Sequence, residues 1–271
     1  NPFFLFFSHY AVHTPLQAKE ELIEKYYKKA NPNEEQSNEV YAAMIESVDD
    51  SVGKVMKTLE DLDIADKTII IFFSDNGGLV QDDPVLKRKV TSNQPIRDGK
   101  GTAYEGGVRV PLIVNWPDVV KQGSISSEPV ISNDFYSTIL EMAGISGESK
   151  HRTDGVSILP LLTQSGALER DAIYWHYPHY HPGGATPYSA VRLGDWKLIE
   201  YYEDNSIELY NLKDDIGETD NLAERMPEKC NELRNNLRDW LNEVEAQMPT
   251  PNPEYNPDRK SEFVVDKLVA E

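Results

Sequence analysis

Asp75 and Asn76 stand side by side in Ser74-Asp75-Asn76-Gly77-Gly78. Their hard oxygens are the donors that Ca²⁺ or Mg²⁺ selects, and the glycines let the backbone pass close to a ligand. The same residues are also good turn chemistry, so the motif alone leaves a cation site and an ordinary turn open. Lys100 lies between Gly99 and Gly101, where its ammonium can meet an oxyanion with little hindrance; a solvated loop lysine is the alternative. His9 and His13, in the run ending His13-Thr14-Pro15, are four residues apart. That spacing is a weak metal-ligand pattern outside a helix, and a hydrogen-bonded structural His13 is the plainer reading. Residues 174–184 interleave aromatic rings with His176, His179 and His181. Rings with polar edges suit one wall of a sugar pocket, with His176, His179 and Arg192 as contacts. The prolines there make a single chelating face hard to build, and a surface loop without a role is the alternative.

Elements must bring these segments together. Residues 18–29 and 34–61 read as helices. Asn33 can cap the second, with Gln36 as its capping-box partner, and Val40, Met44, Val48, Val52, Val55, Met56, Leu59 and Leu62 form its apolar stripe. Residues 68–73 are β-branched and apolar throughout, as in a strand covered on both faces of a parallel sheet. Phe3-Phe4-Leu5-Phe6-Phe7 reads as another buried strand, so the chain is expected to start mid-domain at an interior strand. In open parallel sheets ligands bind beyond the carboxyl ends of the strands, which is where Asp75 and His13 fall. The long Gly-rich stretch 77–110 is expected to be functional. A strand over 110–116 and a helix over 132–144 follow. Short strands at 172–175, 189–193, 196–201 and 207–210 suggest an antiparallel meander, and Pro227 opens a helix whose stripe includes Cys230, Leu233 and Leu237.

Taken together and in order, these pieces resemble the type I, formylglycine-dependent sulfatase family of the alkaline phosphatase superfamily. The matching segments are the strand before His13-Thr14-Pro15, Phe72-Phe73-Ser74-Asp75-Asn76-Gly77-Gly78, and Gly99-Lys100-Gly101 followed by Tyr104-Glu105-Gly106-Gly107-Val108-Arg109-Val110-Pro111. Asn133-Asp134-Phe135, Asp154–Pro160, Arg192-Leu193-Gly194-Asp195-Trp196-Lys197-Leu198 and Glu208-Leu209-Tyr210-Asn211-Leu212 continue it to about residue 245. The resemblance implies an α/β fold with a mixed, mainly parallel sheet flanked by helices, incomplete at its N-terminus, plus a small C-terminal subdomain with an antiparallel sheet and a helix. It divides the chain into 1–168, 169–248 and a Pro-rich tail, 249–271. It implies that Asp75 and Asn76 supply part of the coordination of one divalent cation, Ca²⁺ before Mg²⁺, and that Lys100 and His13 contact sulfate oxygens. The expected substrate is a sulfated small molecule or glycan, and the expected location periplasmic or secreted.

The departure from the family is equally specific. Its nucleophile is a formylglycine made within a C/S-x-P-x-R motif, and no such motif occurs in these 271 residues. Cys230-Asn231-Glu232-Leu233-Arg234 has Glu in place of Pro and reads as a buried helix cysteine. The formylglycine is therefore expected in an N-terminal segment of the same protein, and this chain alone is expected to be inactive. The alternatives are a phosphatase or phosphonate-ester hydrolase of the superfamily, or an inert glycan-binding fragment. Two-metal members tend to carry Asp-His where Asp75-Asn76 stands, which favours the sulfatase. With 27 Lys+Arg against 46 Asp+Glu the net charge is −19, which disfavours nucleic acid and anionic membrane as partners. One cysteine excludes an internal disulfide framework, and no apolar run reaches the ~18 residues of a membrane span.

Overall fold

A computed structural model describes residues 1–30, 36–83, 85, 87–145, 153–181 and 184–256. The chain divides into two compact units. The first comprises Asn1–Gln94, Asp98–Lys100 and Val108–Arg170; the second takes Pro95–Arg97, Gly101–Gly107 and the chain from Asp171 onward.

In the first unit, α1 (Glu20–Tyr27) packs on α2 (Glu39–Asp61). Asn38 caps α2, its side-chain oxygen accepting from the amides of Val40 and Tyr41, which satisfies two donors that the first turn leaves open. The expected cap, Asn33, lies outside the described residues. Gln36 donates to the Ser92 carbonyl, so it is not a capping-box partner. Val40 and Met44 from the α2 stripe close on Leu16 and Val90, and Ala11, Val12 and Leu79 pack against the same cluster. One apolar cluster thus underlies both the segment before His13 and the segment after Gly78.

The strand after α2 is β1 (Ile70–Phe73), which pairs antiparallel with β2 (Leu112–Asn115), Phe73 opposite Leu112. Phe73 meets Phe135 of α4 (Asp134–Met142) edge to face, ring centroids 4.8 Å apart. Two sequence expectations are corrected. Phe3–Phe7 joins no ladder among the described residues, and all five side chains are exposed. Among the described residues the parallel pairing expected around 68–73 is not made: β1 pairs antiparallel with β2, and Phe72 and Ile113 reach solvent, so the run is apolar without being covered on both faces.

The second unit is a four-stranded antiparallel meander in sequence order, β3 (Ala172–Tyr177), β4 (Tyr188–Leu193), β5 (Trp196–Tyr201) and β6 (Ile207–Asn211). Gly194, at φ +58°, makes the tight turn between β4 and β5. Both faces are covered. Val191, Leu198 and Leu209 pack under Cys230, Leu233, Leu237 and Leu241 of α6 (Pro227–Glu243). Ala190, Ile199 and Tyr210, one residue out of phase, pack against Ala103 and Tyr104. The loop before α3 (Glu105–Val108) is therefore a layer of this unit, which explains why Gly101–Gly107 belongs with it. A short α5 (Leu159–Leu162) completes the elements. Among the described residues no helix is long and apolar enough to cross a membrane.

Candidate functional site

The Asp75 segment leaves β1 as a self-bonded turn. Asp75 Oδ1 accepts from the Asn76 amide at 2.9 Å, Asn76 Nδ2 donates to the Gly77 carbonyl at 2.8 Å, and Ser74 Oγ donates to the Asn76 carbonyl. Among the described residues these bonds leave Asp75 Oδ2 and Asn76 Oδ1 uncommitted. The following backbone is pressed against the loop that carries Lys100. The Gly78 carbonyl accepts from the Lys100 amide at 3.0 Å and from Asn93 Nδ2 at 2.9 Å, and Asn93 also donates to the Asp98 carbonyl. A Cβ on Gly99 would drive into that Gly78 carbonyl, and one on Gly78 would stand 2.7 Å from the Thr91 methyl. The glycines are a requirement of close approach. They place Lys100 beside the Asp75–Gly78 turn while its ammonium makes no hydrogen bond or ion pair among the described residues.

His13 is exposed, and its Nδ1 lies 2.7 Å from the Thr14 carbonyl. A carbonyl only accepts, so Nδ1 carries hydrogen and Nε2 is left as the outward nitrogen, an acceptor when the ring is neutral and a donor when it is charged. The segments before His13 and after Gly78 rest on the same apolar cluster. Asp75 and Asn76 fit a hard cation in donor type but supply only two residues toward the six to eight oxygens Ca²⁺ takes. Among the described residues no group of three or more His, Cys, Asp or Glu is gathered for a metal.

The expected sugar-contact residues lie in the second unit, and two of them serve its frame. His176 Nε2 meets the Gln247 carbonyl at 2.9 Å, so that nitrogen carries hydrogen; Nδ1 then accepts from Ser189 Oγ at 2.7 Å, and Ser189 in turn accepts from the Tyr202 hydroxyl. Both ring nitrogens are engaged in fixing the chain after α6 to the sheet. Arg192 donates to the Gly194 carbonyl and faces Glu105 at 3.8 Å. His179 remains exposed, its ring edge-on to Tyr177 at 5.5 Å.

Sequence reasoning missed the charged cluster beneath this sheet face. Lys197, fully buried, holds Glu105 at 3.0 Å and Glu218 at 2.8 Å. Burial pushes the Glu218 carboxyl up, against the pull of Lys197. Arg97 stacks on the Tyr104 ring at 3.8 Å and donates to the Tyr210 hydroxyl and the Glu218 carbonyl. Burial and hydrogen bonds to Tyr201 and Glu208 push the Tyr104 phenol far up. A charged residue inside an alternating strand, Lys197 between Trp196 and Leu198, was the available signal. Cys230 is buried on α6, where burial pushes its thiol up, and Arg234 is paired with Glu200, so this Cys-to-Arg spacing carries packing and an ion pair.

Residues 1–145 match the sulfatase family, and residues 98–247 match the family described as N-sulphoglucosamine sulphohydrolase, C-terminal. A sulfatase of Formosa agariphila is 36% identical over 273 residues, covering 92% of this chain and 48% of that protein. Human N-acetylgalactosamine-6-sulfatase is 32% identical over 65% of this chain and 31% of its own length. Among solved structures, Ps i-CgsB in complex with k-i-k-neocarrahexaose superposes with a TM-score of 0.72 at 30% identity, covering 85% of this chain and 48% of that one. A protein solved with its substrate D-glucosamine-2-N,6-O-disulfate gives a TM-score of 0.66 at 28% identity, over 87% of this chain and 44% of that one. The chain spans about half the length, or less, of the relatives it matches. With its motifs in order and both family matches overlapping on the Lys100 loop, the chain belongs to the sulfatase family.

Proposed function

We propose that this chain supplies part of the active site of a sulfuric ester hydrolase acting on sulfated carbohydrate. The observation that carries the reading is the Lys100 amide on the Gly78 carbonyl, which ties an uncommitted ammonium to a turn with two uncommitted hard oxygens. The carbohydrate class is supported by relatives named for N-acetylgalactosamine 6-sulfate chemistry and by structural neighbours solved with a neocarrahexaose and a glucosamine disulfate.

Asp75 Oδ2 and Asn76 Oδ1 would hold one divalent cation in part, Ca²⁺ or Mg²⁺, which when bound draws charge from the sulfate oxygens. Displacement at sulfur spreads negative charge over its oxygens and onto the leaving alkoxide. Lys100 offers a compact positive charge to the sulfate oxygens. His13, fixed through Nδ1, presents Nε2; in the charged ring that N–H binds a sulfate oxygen or delivers a proton to the leaving oxygen. The formylglycine nucleophile belongs to a motif these 271 residues do not contain.

The test compares two proteins. The purified 271-residue chain should bind Ca²⁺ weakly and release no sulfate from para-nitrophenyl sulfate or a sulfated disaccharide. The full gene product should hydrolyse both, and should prefer sulfate to phosphate esters. Sulfate release by the short chain, or a preference for phosphate in the full product, overturns the proposal.

A further inference from the structure

Asn93 joins the Asp75–Gly78 turn to the segment Asp98–Lys100, and every residue of the junction lies in the first unit. A primary amide carries two N–H groups. Asn93 Nδ2 donates to the Gly78 carbonyl at 2.9 Å and to the Asp98 carbonyl at 2.9 Å. The Gly78 carbonyl also accepts from the Lys100 amide at 3.0 Å, so both of its lone pairs are used. One anchor of the asparagine is thus the partner of the Lys100 amide, and the other is the carbonyl two residues before it. The fit leaves no room for a side chain on either glycine. A Cβ on Gly99 would stand 2.8 Å from Asn93 Nδ2, and one on Gly78 would stand 2.8 Å from Asn93 Oδ1.

The backbone that carries Asn93 is held in turn. The Val90 side chain is buried with Leu16, Val40 and Met44. The Val90 and Thr91 amides donate to the Gln81 and Leu79 carbonyls at 3.1 and 3.2 Å. The Lys89 carbonyl accepts from Asn38 Nδ2 at 3.0 Å, and the Ser92 carbonyl from Gln36 Nε2 at 2.7 Å. The four residues before Asn93 are therefore tied to the start of α2 and to the chain that follows Gly78. A side chain leaving so fixed a backbone can hold its acceptors in a set place, as a support for a functional group must.

We infer that Asn93 is a positioning residue for Lys100, setting the backbone from which the ammonium projects by bridging the Gly78 and Asp98 carbonyls. The inference rests on the role proposed for Lys100 at the sulfate. In that role the ammonium meets charge that grows in the transition state, so displacing it costs kcat more than KM. A displacement of about 1 Å can cost about 100-fold in rate.

The experiment uses the full gene product with para-nitrophenyl sulfate as the probe. Asn93→Ala removes both donors; Asn93→Leu, close to asparagine in size and without a donor, covers the case in which the first variant fails to fold. Each should lower kcat by about 10- to 100-fold and leave KM nearly unchanged. Hydrogen exchange at the Lys100 amide should quicken while the Val90 amide keeps its protection, which separates a freed loop from a loosened fold. On a Lys100→Ala background neither substitution should cost further activity, because the bridge acts through the lysine. A tenfold loss on that background, or wild-type kcat in the Asn93 variants, overturns the inference. Unchanged exchange at the Lys100 amide overturns the bridge itself, whatever the kinetics. Wild-type kcat in Lys100→Ala alone overturns instead the role given to Lys100, and a different variant reports it, so the two failures are told apart.

Discussion

Lys100 is the residue on which the proposed chemistry turns, and its value there lies in being positioned without being paired among the described residues. Its backbone is pinned to Gly78 while its ammonium stays uncommitted. Lys100→Ala in the full enzyme should lower kcat by about 10²–10³, the usual cost of one donor aimed at developing charge. Gly99→Ala tests the same geometry from the backbone: its Cβ would collide with the Gly78 carbonyl, so the loop must shift. We expect kcat to fall with little change in the thermal midpoint; wild-type kinetics would show that the approach of the two loops is not required. Asp75→Ala should abolish the rise in melting temperature that Ca²⁺ gives the full enzyme, since a ligand stabilises only the state it binds. Asp75, Asn76, Lys100 and His13 stand out in the sequence because their oxygens, ammonium and ring sit among glycines or at strand ends. The partners of His176 and Arg192 were not legible for a physical reason: a histidine among aromatics and an arginine near a turn do not announce that Ser189 and Glu105 lie beside them.

At the scale of elements, the second unit is a sheet whose two faces differ in kind. The α6 face has an apolar centre edged by the Glu200–Arg234 ion pair, whereas the opposite face carries Lys197, Glu105 and Glu218 beside packed tyrosines. Lys197→Met would remove the ammonium that two buried carboxylates share, and should destabilise the fold by about 3–5 kcal/mol. Adding Glu105→Gln and Glu218→Gln should recover most of that loss in urea melts; no recovery would show that shape, not charge, is what Lys197 supplies. The tyrosines set an alkaline limit. Burial pushes Tyr188 and Tyr201 up to about 12, and Tyr104 and Tyr210 are shifted further in the same direction. The folded state favours their neutral form, so this contribution is whole below pH 10 and is lost as pH rises through 12 and beyond. Their phenolate absorbance should therefore emerge together with loss of β circular dichroism; reversible titration near pH 10 with the sheet intact would contradict it. The meander and α6 were readable because alternation, turn residues and the helical stripe agree. The layer formed by Ala103 and Tyr104 was not, because nothing local in a Gly-rich loop says which sheet it covers. Phe3–Phe7 shows the converse: apolar composition announces a strand but not the neighbour that must pair with it.

At the scale of the whole molecule, a net charge of −19 faces, on the proposed function, a substrate that is itself an anion. Two distances separate the effects. Far from the site, repulsion between the acidic surface and a polysulfated chain acts over the screening length, about 10 Å at 0.1 M salt and about 3 Å at 1 M. Within the proposed site, Lys100 and His13 would act at contact, where salt screens little. Added salt should then remove more of the penalty than of the attraction, and kcat/KM for a sulfated oligosaccharide should rise with ionic strength. A monosulfated aryl ester, carrying one charge, should respond much less, so the ratio of the two slopes reports the long-range field and not a general salt effect on the enzyme. If the oligosaccharide rate instead falls with salt while the aryl ester is indifferent, the approach to the site is governed by local positive charge, and the acidic bulk of the chain is turned away from the substrate.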